Sequence, residues 1–355
     1  MKDSIAKELQ QYKYALPPQL VRKVPVEPRD EARILIYEIK ADKISLDYFK
    51  NVAQYIPSGS ALVMNTTRVQ PSRLHLYRRT GGRVEVFVLL NEWQGSNDAI
   101  PVLMNRATEA GEELCTNDQE FTFTVLSDNA GVRRVLLQSE IPLTELLSHY
   151  GETPIPPYLA GGGLSEEALR MRYQSVLAEE GNSVAAPTAS LHFTPRVLDT
   201  LAAHNVGVLP VNLGVGLGTF ADVSQAMWDA RNLHTEPITI PQETVEQLQN
   251  LKESRRLCIP VGTTALRAIE SLDRLTLQNG NYVGETDIFI QPGDQFRYTN
   301  GLMTNFHLPQ TSLMCLIDAF LVAHHSPRSV LDLYQVAIAE EFAFYSFGDS
   351  MLILP

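Results

Sequence analysis

The sequence predicts a mixed α/β protein. Its main part is an α/β, barrel-like domain built from both chain ends, residues 1–72 and 142–355, with an antiparallel β-barrel-like domain, residues 73–141, inserted into it. Three observations carry this. Apolar strand-type runs alternate with helical patterns toward both ends of the chain, the layout of a sheet with parallel strands. Between positions 73 and 141, short β-type runs are instead separated by Gly, Asn and Asp turns, with no helical period between them. With 355 residues, 44% of them hydrophobic and 20% charged, the chain is long and ordinary enough to bury more than one core.

Taken in order, PVEPRDEARILIYEIK passes from a Pro-punctuated stretch into an apolar strand at residues 34–39. A short helix is expected over 46–55, then a Pro-Ser-Gly turn and the strand SALVMN. In the insertion, RVEVFVLL, AIPVLMN, FTFTVLSD and GVRRVLLQS read as antiparallel strands. AGGGLSEEALRMR reads as a flexible loop entering a helix. In the second half, the strands GVLPVNLGVG, RLCIPVG and TDIFIQPG alternate with helices expected at 195–204, 242–254, 264–275 and 311–322. A final apolar strand follows FYSFGDS.

No run approaches the roughly 18 apolar residues of a membrane span. The polar start, MKDSIAKELQQYKYALPP, has no apolar signal region. Cys115, Cys258 and Cys315 are far apart and lack metal-ligand spacing, so they read as small core residues in a reducing, cytoplasmic setting. No His/Cys/Asp set has zinc spacing, and no Gly-x-Ser-x-Gly elbow occurs. The formal net charge of −12 argues against a general positive field that coats nucleic acid and leaves only local basic surface for such a contact. Arg68, Arg73, Arg78, Arg79 and Arg83 form one such cluster, and Arg22, Lys23, Arg29 and Arg33 another.

Several stretches have the make-up of a ligand site. GNSVAAPTASLHFTPRVL is a loop of small side chains that lets backbone approach a ligand or pack against its own domain. It offers Ser183, Thr188, His192 and Thr194 as polar contacts, and Pro195 opens a helix after it. RLCIPVGTTALRAIES is a strand, a turn and a helix that Thr263 or Thr264 would cap. The same free N–H groups suit a carboxylate or ribose oxygen, and Arg267 lies one turn in. GVGLGTF, which contains Thr219, lacks the Lys-Ser/Thr of a phosphate loop, so its glycines point to close approach by a ligand or a crossing strand. His234 and Glu236 in LHTEPITI fall on one side if extended, where carboxylate and imidazole can share a proton. TNFHLPQTSLMCLIDAF sets Asn305 and His307 in a polar turn before an apolar helix capped by Thr311 or Ser312, and Asp349 precedes the last strand. His192 has the first claim to acid–base work, an imidazole being the side chain that titrates nearest neutrality. Arg267, with its planar fork, suits a carboxylate.

Side by side, PVEPRDEARILI, NTTRVQPSRL, TGGRVEV, GETPIPPYL, RYQSV, SVAAPTASLHFT, VGLGTF, LHTE, VGTTALRAIES, TDIFIQPG, TNFHLP and FYSFGDSMLI form a pattern. In this order, and over nearly the whole chain, it resembles the S-adenosylmethionine:tRNA ribosyltransferase-isomerase family of queuosine biosynthesis. The resemblance implies an α/β domain with an inserted β domain. It also implies a reaction in which S-adenosylmethionine is co-substrate and donates its ribosyl group, not its methyl, to 7-aminomethyl-7-deazaguanine at the wobble position of tRNA. Epoxyqueuosine-tRNA, adenine and methionine are the implied products. No metal, no membrane, a monomeric state and a cytoplasmic location go with this. His192, Thr194, His234, Glu236 and His307 are the implied catalytic residues. Arg68, Ser183, Thr188, Thr219, Thr263, Thr264, Arg267, Asn305 and Asp349 are the implied substrate-binding ones. The chain departs from the family's pattern in four places: Thr66 replaces an Asp, Gly214 a His, Arg231 the first of two histidines, and Ser190 a Gly. Two other readings stand beside this one: a relative acting on an adenosyl-sulfonium without modifying tRNA, and a tRNA-binding relative without turnover.

Overall fold

The structure, a computed structural model, describes residues 6–129, 132–179, 181, 183–216 and 222–355. The chain opens with β1 (Arg33–Glu38), β2 (Lys43–Tyr48) and β3 (Ala61–Asn65). It continues as β4 (Arg73–Arg78), β5 (Arg83–Val88), β6 (Ile100–Met104), β7 (Glu113–Cys115), β8 (Thr122–Asn129) and β9 (Val132–Gln138). After these come β10 (Gly207–Leu213), β11 (Asn232–Pro241), β12 (Cys258–Val261), β13 (Thr276–Gln278), β14 (Asn281–Ile288), β15 (Leu302–Asn305) and β16 (Ser350–Leu354).

The six strands β4 to β9 close into a barrel in the order β4-β5-β6-β9-β8-β7, every neighbouring pair antiparallel. Side-chain alternation is the reason. Leu74 and Leu76 in β4, and Val84, Val86 and Val88 in β5, are buried, while the strand residues between them are not. Helix α1 (Leu143–Tyr150) adds Leu143, Leu146 and Leu147 to the same core.

The other ten strands form one mixed sheet in the order β13-β14-β11-β10-β3-β12-β15-β16-β1-β2. The pairs β10–β3, β3–β12, β12–β15 and β16–β1 are parallel; β15–β16 between them and the pairs toward the two edges are antiparallel. Both β12 and β16 are buried along their whole length, as strands covered on two faces must be. The covering helices are α3 (Pro195–Ala203), α4 (Gln225–Ala230), α5 (Gln242–Glu253), α6 (Thr263–Glu270), α7 (Ser312–Ala323) and α8 (Val330–Ala339), while α2 (Glu166–Arg172) buries none of its residues. Helices α7 and α8 share one apolar cluster with Leu9 and Tyr12; α3 packs in another with Phe49 and Val52. This is the mixed α/β class that the sequence predicts, with its antiparallel barrel.

Local readings need correction. Where a helix is expected over 46–55, the chain runs as β2 and then a 3-10 turn, Phe49–Gln54. Ile44, Leu46 and Tyr48 alternate with Ser45 and Asp47, a strand period, and β1 pairs with them. The Asp47 carboxylate then accepts Tyr48 N–H, Asn51 Nδ2 and Tyr55 Oη, which fixes the turn. Helix α6 stops at Glu270, short of the expected 275, and a 3-10 turn, Leu272–Arg274, follows. Pro195 does open α3, and Thr194 caps it by accepting Val197 N–H.

Two buried carboxylates fasten the start of the chain to later segments. Asp349, its side chain fully buried, accepts Arg22 Nη1 at 2.8 Å, Arg33 N–H at 3.0 Å and Ala343 N–H at 2.7 Å. Asp30 accepts Thr194 Oγ1 at 2.6 Å and Arg196 through two nitrogens at 3.0 and 2.8 Å. Burial alone would raise the Asp30 carboxyl, but the Arg196 and Thr194 hydrogen bonds outweigh it and hold the group below its usual range.

Candidate active site

A cavity of about 500 Å³ lies at the carboxyl ends of β10, β12 and β15, with Val215, Gly262 and Asn305 in its wall. Crevices at such strand ends are where α/β sheets hold ligands, and the size is within the roughly 300–1,000 Å³ of small-molecule sites. Gly262 makes the turn from β12 into α6 at φ +89°, and a Cβ there would lie 3.3 Å from the Cβ of Ala189. That turn brings the small-residue loop and the first turn of α6 to one wall. Neither threonine caps the helix: Gly262 occupies the cap position without a side-chain bond. Thr264 Oγ1 is instead buried without a partner.

On the adjoining wall, β11 carries His234 and Glu236, two apart and both lining the cavity, as an extended segment requires. Glu236 forms a buried ion pair with Arg267, the two side chains only 3% and 9% exposed. Glu236 Oε1 also accepts Gly216 N–H at 3.0 Å, and Arg267 Nε donates to Ile288 O at 3.2 Å. The remaining guanidinium nitrogen, Nη2, has no partner. A buried cation with one donor still unused is equipped to take an anion.

The polar turn after β15 adds Asn305 and His307. Asn305 Nδ2 donates to Tyr345 O at 3.2 Å, while its Oδ1 is unpartnered. Thr304 Oγ1 engages His307 Nε2 at 2.8 Å, so Nδ1 is the ring nitrogen left for the cavity. Burial pushes the His307 imidazole down to about 4, which keeps it neutral at pH 7.

Of the sequence-predicted site residues, His234, Glu236, His307, Thr188, Thr263, Thr264, Arg267 and Asn305 therefore meet at one cavity. The others are placed elsewhere. His192 is buried with its ring centroid 5.1 Å from that of Phe49, beside a separate void of about 10 Å³, and its Nε2 has no partner. The ring therefore stands apart from the large cavity where the other candidates meet. Thr194 is committed to its cap and to Asp30. Ser183 Oγ joins Thr67 Oγ1 at 2.7 Å to Val215 N–H at 2.8 Å, a strut between loops. Arg68, on the surface, donates to the carbonyls of Glu179 and Ala178, and Asp349 forms the knot described above. Thr219 lies outside the described residues. Tyr158, Tyr173, Tyr345 and Ser346 also line the cavity, and sequence reasoning passes over them. Only the Pro-Pro-Tyr of GETPIPPYL, a rigid turn presenting an aromatic ring, offered a signal.

At the departures, Thr66 N–H donates to Val211 O at 2.8 Å and Arg231 pairs with Asp294. At Gly214 a Cβ would lie 3.0 Å from Pro237 Cγ, so this chain has little room for the larger residue. Among the described residues no three His, Cys, Asp or Glu side chains are grouped to hold a metal ion, and no helix is long and apolar enough to cross a membrane.

Burial also lowers His192, to about 4 against the pull of Asp349, and lowers His324. Between about pH 4 and the ordinary imidazole value of 6.5, the unfolded chain binds protons that the folded one refuses. Stability should therefore rise with pH across that window and fall as the solution is acidified through it. Thermal midpoints taken from pH 7 to 4 should show this, and His192→Leu should reduce the slope. An equal slope in the variant would mean that His192 titrates normally.

A family model described as Queuosine biosynthesis protein matches residues 9–353. A relative from Thermotoga maritima, named S-adenosylmethionine:tRNA ribosyltransferase-isomerase, is 35% identical over 347 residues, covering 98% of this chain and 100% of the relative. Relatives of the same name from Staphylococcus epidermidis and Carboxydothermus hydrogenoformans are 36% and 35% identical over 350 and 354 residues, covering 98% of this chain and 99% and 100% of theirs. Among solved structures, an S-adenosylmethionine tRNA ribosyltransferase from Thermotoga maritima matches with a TM-score of 0.54 and 28% identity, over 97% of this chain and 100% of that one.

Proposed function

The chain belongs to the queuosine biosynthesis protein family, and from that premise we propose that it acts on S-adenosylmethionine and tRNA. In this reading it transfers and isomerises the ribosyl group of S-adenosylmethionine onto 7-aminomethyl-7-deazaguanine in tRNA, giving epoxyqueuosine-tRNA, adenine and methionine. The reaction needs a base for the C5′ proton, which the neighbouring sulfonium acidifies, a proton donor as adenine leaves, and protection from water.

One observation carries the reading: Arg267, almost fully buried in the cavity wall, keeps a guanidinium nitrogen unpartnered although Glu236 matches its charge. That nitrogen would take the methionine carboxylate in the cavity that the first turn of α6 also lines. Glu236 holds the guanidinium in place. His307, neutral and with Nδ1 available, would remove the C5′ proton, and His234 would serve adenine. Met227, Phe289 and Leu316 form an apolar side of the cavity that keeps water away from the reacting atoms. Arg267→Lys retains the charge for Glu236 but loses the fork. Calorimetric titration with S-adenosylmethionine should show affinity weakened about tenfold, the worth of one charge-assisted hydrogen bond. Unchanged affinity would remove Arg267 from the carboxylate.

For the RNA, the barrel offers Arg78, paired with Glu112, and Arg79, paired with Glu113 but 80% exposed. In the Arg78→Ala/Arg79→Ala double variant, two glutamates lose their counter-charges. Affinity for precursor tRNA should fall, and the slope of log K against log salt should flatten by up to about two. Filter binding at several salt concentrations measures both, and wild-type values would leave these arginines with their glutamate partners alone.

A further inference from the structure

The cavity has an aromatic side to which the reading above gives no task. Tyr345 lines it with its backbone at φ +72°, a conformation costly for a residue with a large side chain. The surroundings impose it. Tyr345 N–H donates to Phe306 O at 3.0 Å, and Tyr345 O accepts Asn305 Nδ2 at 3.2 Å and Gly348 N–H at 3.0 Å. The polar turn that carries His307 thus also fixes the backbone from which this ring projects.

The ring faces Tyr158, the centroids 4.8 Å apart and the planes at 48°. Tyr158 is fixed in its turn. It follows Pro156 and Pro157 in a 3-10 turn, and its hydroxyl is 2.8 Å from Ser346 Oγ. Both rings are only partly buried and both line the cavity, so they are not a closed core pair. In the same wall Asn305, 2% exposed, holds Oδ1 without a partner, an acceptor still lacking an N–H. Strain kept in place at a cavity is a common mark of a ligand clamp.

We propose that Tyr345 and Tyr158 form a stacking platform for a purine-type base of the substrate, with Asn305 Oδ1 accepting an N–H of that base. The proposal rests on the reading that S-adenosylmethionine and tRNA meet in this cavity. Such a ring comes from two sources, the adenine of S-adenosylmethionine and the deazaguanine of the tRNA, and stacking recognises either by its flat face.

The test uses the full chain as Tyr345→Leu, Tyr345→Phe and Tyr158→Leu. Affinity for S-adenosylmethionine is titrated, and KM for precursor tRNA is measured separately. Loss of a stacked ring should weaken one ligand roughly ten- to hundredfold in both Leu variants. Tyr345→Phe, which keeps the ring, should restore most of what Tyr345→Leu loses. A rise confined to the S-adenosylmethionine Kd identifies adenine as the base; one confined to the tRNA KM identifies the deazaguanine. Should Tyr345→Leu fail to fold, Tyr158→Leu, whose backbone is unstrained, decides the matter. Wild-type values for both ligands in the Leu variants would overturn the platform, as would a Tyr345→Phe as defective as Tyr345→Leu. Failure of the functional reading looks different: the wild-type chain itself would bind neither ligand, and the platform would fall with it.

Discussion

Substituting Gln for His307 should cut adenine release from S-adenosylmethionine by about 10²–10⁴-fold, the usual contribution of a positioned general base, while S-adenosylmethionine still binds. The residue is fixed at its ring and at both backbone groups. Thr304 engages Nε2, Tyr334 Oη receives the His307 N–H at 2.8 Å, and Tyr14 Oη donates to the His307 carbonyl. Gln keeps the link to Thr304 but carries no basic nitrogen. Because burial lowers the wild-type imidazole to about 4, it stays unprotonated across the physiological range. The wild-type rate should therefore show no loss assignable to this group until the pH falls toward that value. Chromatographic detection of adenine, with and without tRNA, measures the effect. Undiminished release in the Gln variant would return the proton to another group, His234 first.

The largest expected loss of stability comes from Asp349→Ala, at about 3–5 kcal/mol, the cost of removing a buried carboxylate that pairs with the partly exposed Arg22 and accepts two backbone N–H groups. The variant leaves Arg22 without its counter-charge and the N–H groups of Arg33 and Ala343 without an acceptor. Asp349→Asn, which retains an acceptor oxygen, should lose less. Calorimetry or urea denaturation compares the three proteins, and equal midpoints would show that the knot contributes nothing.

Much of the fold is legible from apolar period and turn chemistry. SALVMN, RVEVFVLL and GVLPVNLGVG read as strands because each is bounded by Pro, Gly or Asn, and β3, β5 and β10 form there. Residues 46–55 fit either period when read locally, and pairing with β1 decides for a strand. Helix α8 announces itself through Ser329 and Asp332, a reciprocal capping box, yet it is easily passed over after the longer apolar run of α7. In the site, the spacing of His234 and Glu236 and the strand–turn–helix around Arg267 are written locally. The inward turn of His192 is not, because a loop's sequence does not say which side of it faces the core. Tyr345 is invisible for a similar reason: its unusual backbone is dictated by Asn305 and Phe306, far away in the chain.

The neighbours of β16 bear on how the protein is made. This strand lies between β15 and β1, with parallel register from Ile34↔Ser350 to Glu38↔Leu354 on one side and antiparallel register on the other. During translation, β1 and β2 leave the ribosome early and have no partner on that side until residues 350–354 arrive. The β3–β12–β15 block and the β1–β2 hairpin thus wait as separate pieces, each with an open strand edge. Nascent chains of this protein should depend on edge protection by chaperones for most of their synthesis. Emergence of residues 350–354, rather than of the barrel, should set the moment at which the large sheet becomes resistant to protease.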